Sequence, residues 1–123
     1  MVVAAVIEAL KKASYIDLTT RGRKSGEPRT VELSFALRGD EIFCLAGSGG
    51  RVHWYRNLLA HPEVVVKAGK LRVKGKAEPA EKSKEAVGEI LELFREKYGA
   101  RYVRTWYEGT ERAPVRIKVD RPE

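Results

Sequence analysis

Apolar residues near the start of the chain fall at Val3, Val6, Ile7 and Leu10, the i, i+3, i+4, i+7 spacing of one helix face. The period then drops to two. "YIDLTT" (15–20) reads as a short strand, and Val31, Leu33, Phe35 and Leu37 alternate with Glu32, Ser34 and Ala36 along a second. Gly39-Asp40 closes a hairpin into an apolar strand from Ile42 to Ala46. A glycine-rich loop, "GSGGR" (47–51), leads into a short helix from His53 that Pro62 ends. Residues 63–79 form another hairpin, in which Leu71, Val73 and Gly75 alternate with Arg72, Lys74 and Lys76 on a wet face. Residues 80–98 carry the longest helical stripe, Val87, Ile90, Leu91, Phe94 and Tyr98, and Val115, Ile117 and Val119 mark a last strand.

These pieces amount to six strands, antiparallel by their short connections, with about three helices. No repeat, linker or second domain interrupts residues 1–123. The pattern predicts one α+β domain, mainly β: a six-stranded antiparallel split β-barrel with peripheral helices, since closure removes exposed strand edges.

Composition narrows the class. An apolar content of 43% excludes a disordered chain. No apolar run approaches the roughly 20 residues of a membrane span. Lys11 and Lys12 follow the first apolar stretch instead of preceding it, the wrong order for a signal peptide, so a cytoplasmic location is expected. A single cysteine, Cys44, rules out an internal disulfide, and it reads as a buried small hydrophobe. With only two histidines, scattered, a metal site is not expected. The chain has no glutamine and one asparagine while 33% of it is charged, which points to a thermophilic source. A net charge of +7 suits an anionic partner: nucleic acid, a membrane surface or a phosphorylated small molecule.

Two connections concentrate features suited to an anion. "TTRGRKSGEPRT" (19–30) places Arg21, Arg23, Lys24 and Arg29 in one turn, opposed only by Glu27. "AGSGGR" (46–51) ends a strand and opens a helix, a geometry able to present free backbone N–H groups beside a helix dipole. A solvated turn and a plain strand-to-helix connection account for either one alone; their pairing in one barrel favours a ligand.

"LTTRGRKSGEPRTVEL" followed by the glycine loop and "WYRNLLAHPEVVV" resembles the deazaflavin-dependent nitroreductase family, over roughly residues 14–68. Its pattern T-T-x-G-R-K-S-G-x-x-R, with a later W-Y-x-N-L, is matched here, and "ERAPVRIKV" matches the family's closing strand more loosely. The resemblance implies a split barrel of the FMN-binding, pyridoxamine-phosphate oxidase type that holds a deazaflavin coenzyme or FMN. It assigns the cofactor's phosphate and acidic tail to Arg23, Lys24 and Arg29, with Ser25 as a matching hydroxyl. The ring would lie against Ala46, Gly47, Ser48, Gly49 and Gly50, near Trp54 and Asn57. A tyrosine-bearing segment closes over substrate in the family, which points to Tyr98, Tyr102 and Trp106. One departure is that only Arg51, Val52 and His53 separate Gly50 from Trp54, where the family carries a longer insertion.

The implied activity is hydride transfer to a small organic acceptor, with chemistry carried by the cofactor and no catalytic side chain needed. A homodimer is expected, because related split barrels pair. Two other readings stay open: a cofactor carrier without turnover, and a basic barrel for single-stranded nucleic acid, against which the strands show no aromatic ladder. Plain structural roles are also open for His53 as a helix-start histidine, Trp54 as core and Asn57 as a cap.

Overall fold

The computed structural model describes residues 2–122, with side chains for residues 4–120; Val3, on the predicted helix face, lies outside these described side chains. Four helices and seven strands follow in the order α1 (Val2–Lys12), β1 (Tyr15–Arg21), β2 (Pro28–Ser34), β3 (Ala36–Arg38), β4 (Glu41–Ala46), α2 (His53–Ala60), β5 (Glu63–Ala68), β6 (Leu71–Pro79), α3 (Lys84–Tyr98), α4 (Ala100–Trp106) and β7 (Ala113–Pro122). The strands form one sheet in the order β2-β1-β5-β6-β7-β4-β3, antiparallel at every pairing.

The two edges of that sheet, β2 and β3, are consecutive in the chain. They meet at Phe35, so the sheet curls round and its open seam runs beside β2. This is the expected split barrel, with seven strands where six were expected. The alternation from Val31 to Leu37 breaks because helix α3 captures the Phe35 backbone. Phe35 N–H donates to the Tyr98 hydroxyl at 3.0 Å, and its carbonyl accepts from Lys97 Nζ at 2.9 Å. The Lys97 ammonium also sits 3.2 Å from the Phe35 ring centroid. With both polar groups of Phe35 taken, the strand stops pairing with β1 and restarts against β4.

Alternation then sorts the side chains. Val6 and Leu10 of α1, Ile16, Leu18, Phe35, Ile42, Cys44, Leu58, Val66, Val73 and Ile117 fill the barrel interior. Ala36, Phe43 and Leu45, on the opposite face of β3 and β4, pack under Ile90 and Phe94 of α3 and Val103 and Tyr107 beside it. The β3–β4 end is thus buried on both faces, which explains why β4 reads as a continuous apolar run. Helix α3 starts four residues later than its stripe predicts, because Ser83 caps it by accepting from Ala86 N–H at 3.1 Å. At Gly75 the β6–β7 backbones approach so closely that a Cβ would lie 2.5 Å from the Lys118 carbonyl oxygen, beside the bulge at Lys74/Gly75.

Candidate functional site

Along β2 lie two adjoining clefts that share the side chain of Trp54. The first, about 560 Å³, is bounded by the basic turn, the start of α2 and the Arg29–Val31 end of β2. The turn is self-bracing: Gly22 N–H donates to Glu27 O at 2.8 Å, Gly26 N–H to Gly22 O at 2.9 Å, and Ser25 Oγ accepts from Glu27 N–H at 3.2 Å. Arg23, Lys24 and Arg29 all line this cleft, whereas Arg21 faces a different one on the other side of the turn. The four cations are therefore not one cluster.

Arg23 is held in place. Its backbone N–H and its guanidinium both donate to Asn57 Oδ1, at 3.2 and 2.9 Å, and its second nitrogen meets His53 Nδ1 at 3.2 Å. Asn57, only 4% exposed, completes its own amide by donating to Thr20 Oγ1 at 3.3 Å, and Thr20 is itself 1% exposed. So Asn57 acts as a buried bracket for the arginine. Among the described residues, the Arg29 side chain makes an exposed ion pair with Glu27 at 3.6 Å, worth little in water. The N-terminus of α2 carries no side-chain cap and no acidic residue in its first turn, which leaves its dipole and free amides favourable to an anion.

The second cleft, about 360 Å³, occupies the seam between β2 and β4. Leu33, Ser34, Leu45 and Gly47 form its sides, Trp54 one end, and Tyr102, Trp106, Tyr107 and Arg112 its cover. Tyr102 stacks on Tyr98 with ring centroids 4.6 Å apart, and its hydroxyl meets Ser34 Oγ at 2.5 Å. Trp106 stands 61% exposed at the mouth. Burial raises the Tyr107 phenol above its ordinary range, against the lowering effect first of hydrogen bonding to Ser34 and then of the Arg112 charge. Cys44 touches the cleft, yet burial pushes its thiol up to about 12, so no thiolate nucleophile is available there.

Several predicted residues sit elsewhere. Tyr98 lines neither cleft; its hydroxyl donates to Ser14 O at 2.5 Å and accepts from Phe35, an anchor that fixes the barrel closure. Of Ala46, Gly47, Ser48, Gly49 and Gly50, only Gly47 borders either cleft. The loop's amides are not free as expected: Gly49 N–H donates to Glu111 O and Gly50 N–H to Gly47 O, both at 3.0 Å. Gly50 is needed for packing, since its φ is 94° and a Cβ would meet the Tyr55 ring at 2.8 Å. Sequence reasoning missed Ser34, Tyr107 and Arg112. Ser34 was hidden on the polar face of a strand, and Arg112 in an ambiguous aromatic segment with no spacing signal.

Comparison with known proteins decides what this geometry belongs to. The sequence profile of the F420H(2)-dependent quinone reductases matches residues 2–122. The chain belongs to that family. An F420H(2)-dependent quinone reductase of Mycobacterium tuberculosis is 30% identical over 105 residues, which cover 83% of this chain and 69% of the relative. Among solved structures, a conserved hypothetical protein of M. tuberculosis superposes with a TM-score of 0.76 at 21% identity, over 96% of this chain and 80% of that one. A Listeria innocua protein provisionally assigned to the pyridoxamine 5'-phosphate oxidases gives 0.73 at 15% identity, over 100% and 97%. These likenesses establish the fold, a pyridoxamine-phosphate-oxidase-like split barrel. Family membership makes the protein a deazaflavin-dependent oxidoreductase, with F420H2 as reductant and a quinone-type acceptor. It decides the choice between FMN and deazaflavin that the motifs left open, and it sets aside the carrier and nucleic-acid readings. Among the described residues, no helix is long and apolar enough to cross a membrane.

Proposed function

We propose that this F420H2-dependent quinone reductase seats the coenzyme across Trp54, with its phosphate and acidic tail in the basic cleft and its ring directed into the seam. The observation that carries this is the shared wall: a cationic cleft and an aromatic one meet at a single side chain. The residues present fit such a group. Arg23 arrives preoriented by Asn57 and His53, Lys24 and Arg29 add charge from the same turn, and the α2 N-terminus adds its dipole. Arginine forks suit phosphate oxygens, while lysine acts as a point charge.

When bound, a reduced deazaflavin supplies a hydride. The chain's own part is to bind, orient and exclude water. Trp54 and Gly47 border the space for the ring, and Tyr102 and Trp106 wall the space left for a flat acceptor. The short Ser34–Tyr102 hydroxyl contact holds the tyrosine ring in place. Ser25 lines the basic cleft beside Lys24 and offers its hydroxyl to the same anionic groups, whereas Ser48, Gly49 and Gly50 shape the loop. A homodimer in the cytoplasm belongs to this reading too, and light scattering tests the assembly.

Fluorescence titration with F420 tests the seat. Lys24→Ala and Arg29→Ala should each weaken binding about ten- to a hundredfold, the worth of one charge-assisted hydrogen bond. Lys70→Ala, at the β5–β6 turn and the far end of the sheet, should leave it unchanged. The deazaflavin core without its phosphate should bind all variants alike. Equal loss in Lys24→Ala and Lys70→Ala, or equal affinity for coenzyme and phosphate-free core, would sink the assignment.

A further inference from the structure

The aromatic cleft contains a cation that the seat described above does not use. Arg112 Nε donates to Thr110 Oγ1 at 2.9 Å, Nη2 to the Trp106 carbonyl at 2.6 Å, and Nη1 lies 3.5 Å from the Leu45 carbonyl. Its guanidinium carbon sits 4.4 Å from the Tyr107 ring centroid. Every one of these partners is neutral. The neighbouring carboxylates are engaged elsewhere, Glu108 with Arg95 and Glu111 with Arg51, and Glu32 at the cleft rim makes no ion pair with Arg112. Guanidinium carries five N–H donors, so two remain for a ligand. Among the described residues Arg112 has no counter-ion, and a half-buried charge in that state, beside Gly47 and Tyr102, is costly unless something negative appears in the cleft.

Quinone reduction makes such a charge. As hydride arrives, the reductant's C–H bond breaks, two electrons and one proton pass to the quinone, and a hydroquinone monoanion forms. A second proton, taken from water, completes the hydroquinone. We propose that Arg112 stabilises the negative oxygen of that monoanion, so that the cleft prefers an anionic quinone ring to a neutral one. This rests on the quinone reductase reading. It assigns the cleft a charge selectivity that the cofactor seat does not require. Preorganised donors aimed at developing charge lower a barrier because they need no reorganisation when the charge forms.

The test needs no coenzyme. Quenching of Trp54 and Trp106 fluorescence is titrated with 2-hydroxy-1,4-naphthoquinone, an anion at neutral pH, and with neutral 2-methyl-1,4-naphthoquinone. Excess inorganic phosphate keeps the anion out of the basic cleft. The parent protein should bind the anion about tenfold more tightly than the neutral ring. Arg112→Met should lose that preference, Arg112→Gln should lose it while keeping donors for Thr110 and Trp106, and Arg112→Lys should retain part of it. Circular dichroism of each variant checks folding. The same preference in a folded neutral variant, or none in the parent, overturns the inference and leaves the quinone reading standing. If the parent binds neither naphthoquinone, the quinone reading itself fails, and this inference with it.

Discussion

Removing the Asn57 side chain should injure stability and coenzyme affinity together, although Asn57 sits behind the cationic wall. Asn57→Ala leaves the Thr20 hydroxyl buried and without its partner, a loss of about 1–3 kcal/mol. The two half-buried bonds to Arg23 add about 1 kcal/mol between them after competition from water. The sum is about 3 kcal/mol, or a melting point about 10 °C lower for a domain of this size. Freed from its bracket, Arg23 must be ordered by the ligand, which should weaken F420 binding about five- to tenfold. Asn57→Asp separates the two effects. A carboxylate still accepts both Arg23 donors, and the Thr20 hydroxyl can turn to donate, so thermal stability should stay within about 1 kcal/mol of the parent. The new negative charge neutralises Arg23, however, so affinity should fall at least as far as in the alanine variant. Differential scanning calorimetry and fluorescence titration with F420 read the two quantities. An alanine variant melting within about 2 °C of the parent, or an aspartate variant binding F420 normally, would refute the bracket.

Gly75→Ala should destabilise by about 1–3 kcal/mol in urea unfolding, because its Cβ would press on the Lys118 carbonyl and that neighbour is backbone. Burial depresses the Lys97 ammonium to about 8 from 10.5, so between pH 8 and 10 the unfolded chain binds more protons and stability should rise with pH. Lys97→Met should flatten that slope; an unchanged slope would show that another group sets it. Tyr102→Phe, which keeps the stack on Tyr98 but drops the hydroxyl, should lower turnover while F420 affinity stays within a few-fold, as steady-state kinetics beside a binding titration would show. Light scattering should give a dimer near twice the chain mass; a monomer at micromolar concentration would rule that assembly out.

Local pattern was enough for most elements. Period-two alternation marked β6 and β7, a short strand and a hairpin signal marked β1 and β5, the helical stripe marked α3, and Pro62 lies two residues beyond the end of α2, because side-chain alternation, turn chemistry and proline act over a few residues. The anion-suited turn was legible for the same reason: three cations that line one cleft are near neighbours in sequence. What the chain order could not convey was the break at Phe35, where Lys97 and Tyr98, more than 60 positions away, take the backbone groups a strand would have used. The split of Arg21 from its neighbours, the inward use of the glycine loop's amides and the bracket from Asn57 to Arg23 are decided the same way, by partners that curling of the sheet brings together. The seam cleft itself joins Ser34, Gly47, Trp54, Tyr102 and Arg112 from five separate segments. No short-range spacing encodes such a meeting, since it exists only once β2 and β3, adjacent in the chain, become opposite edges of one sheet.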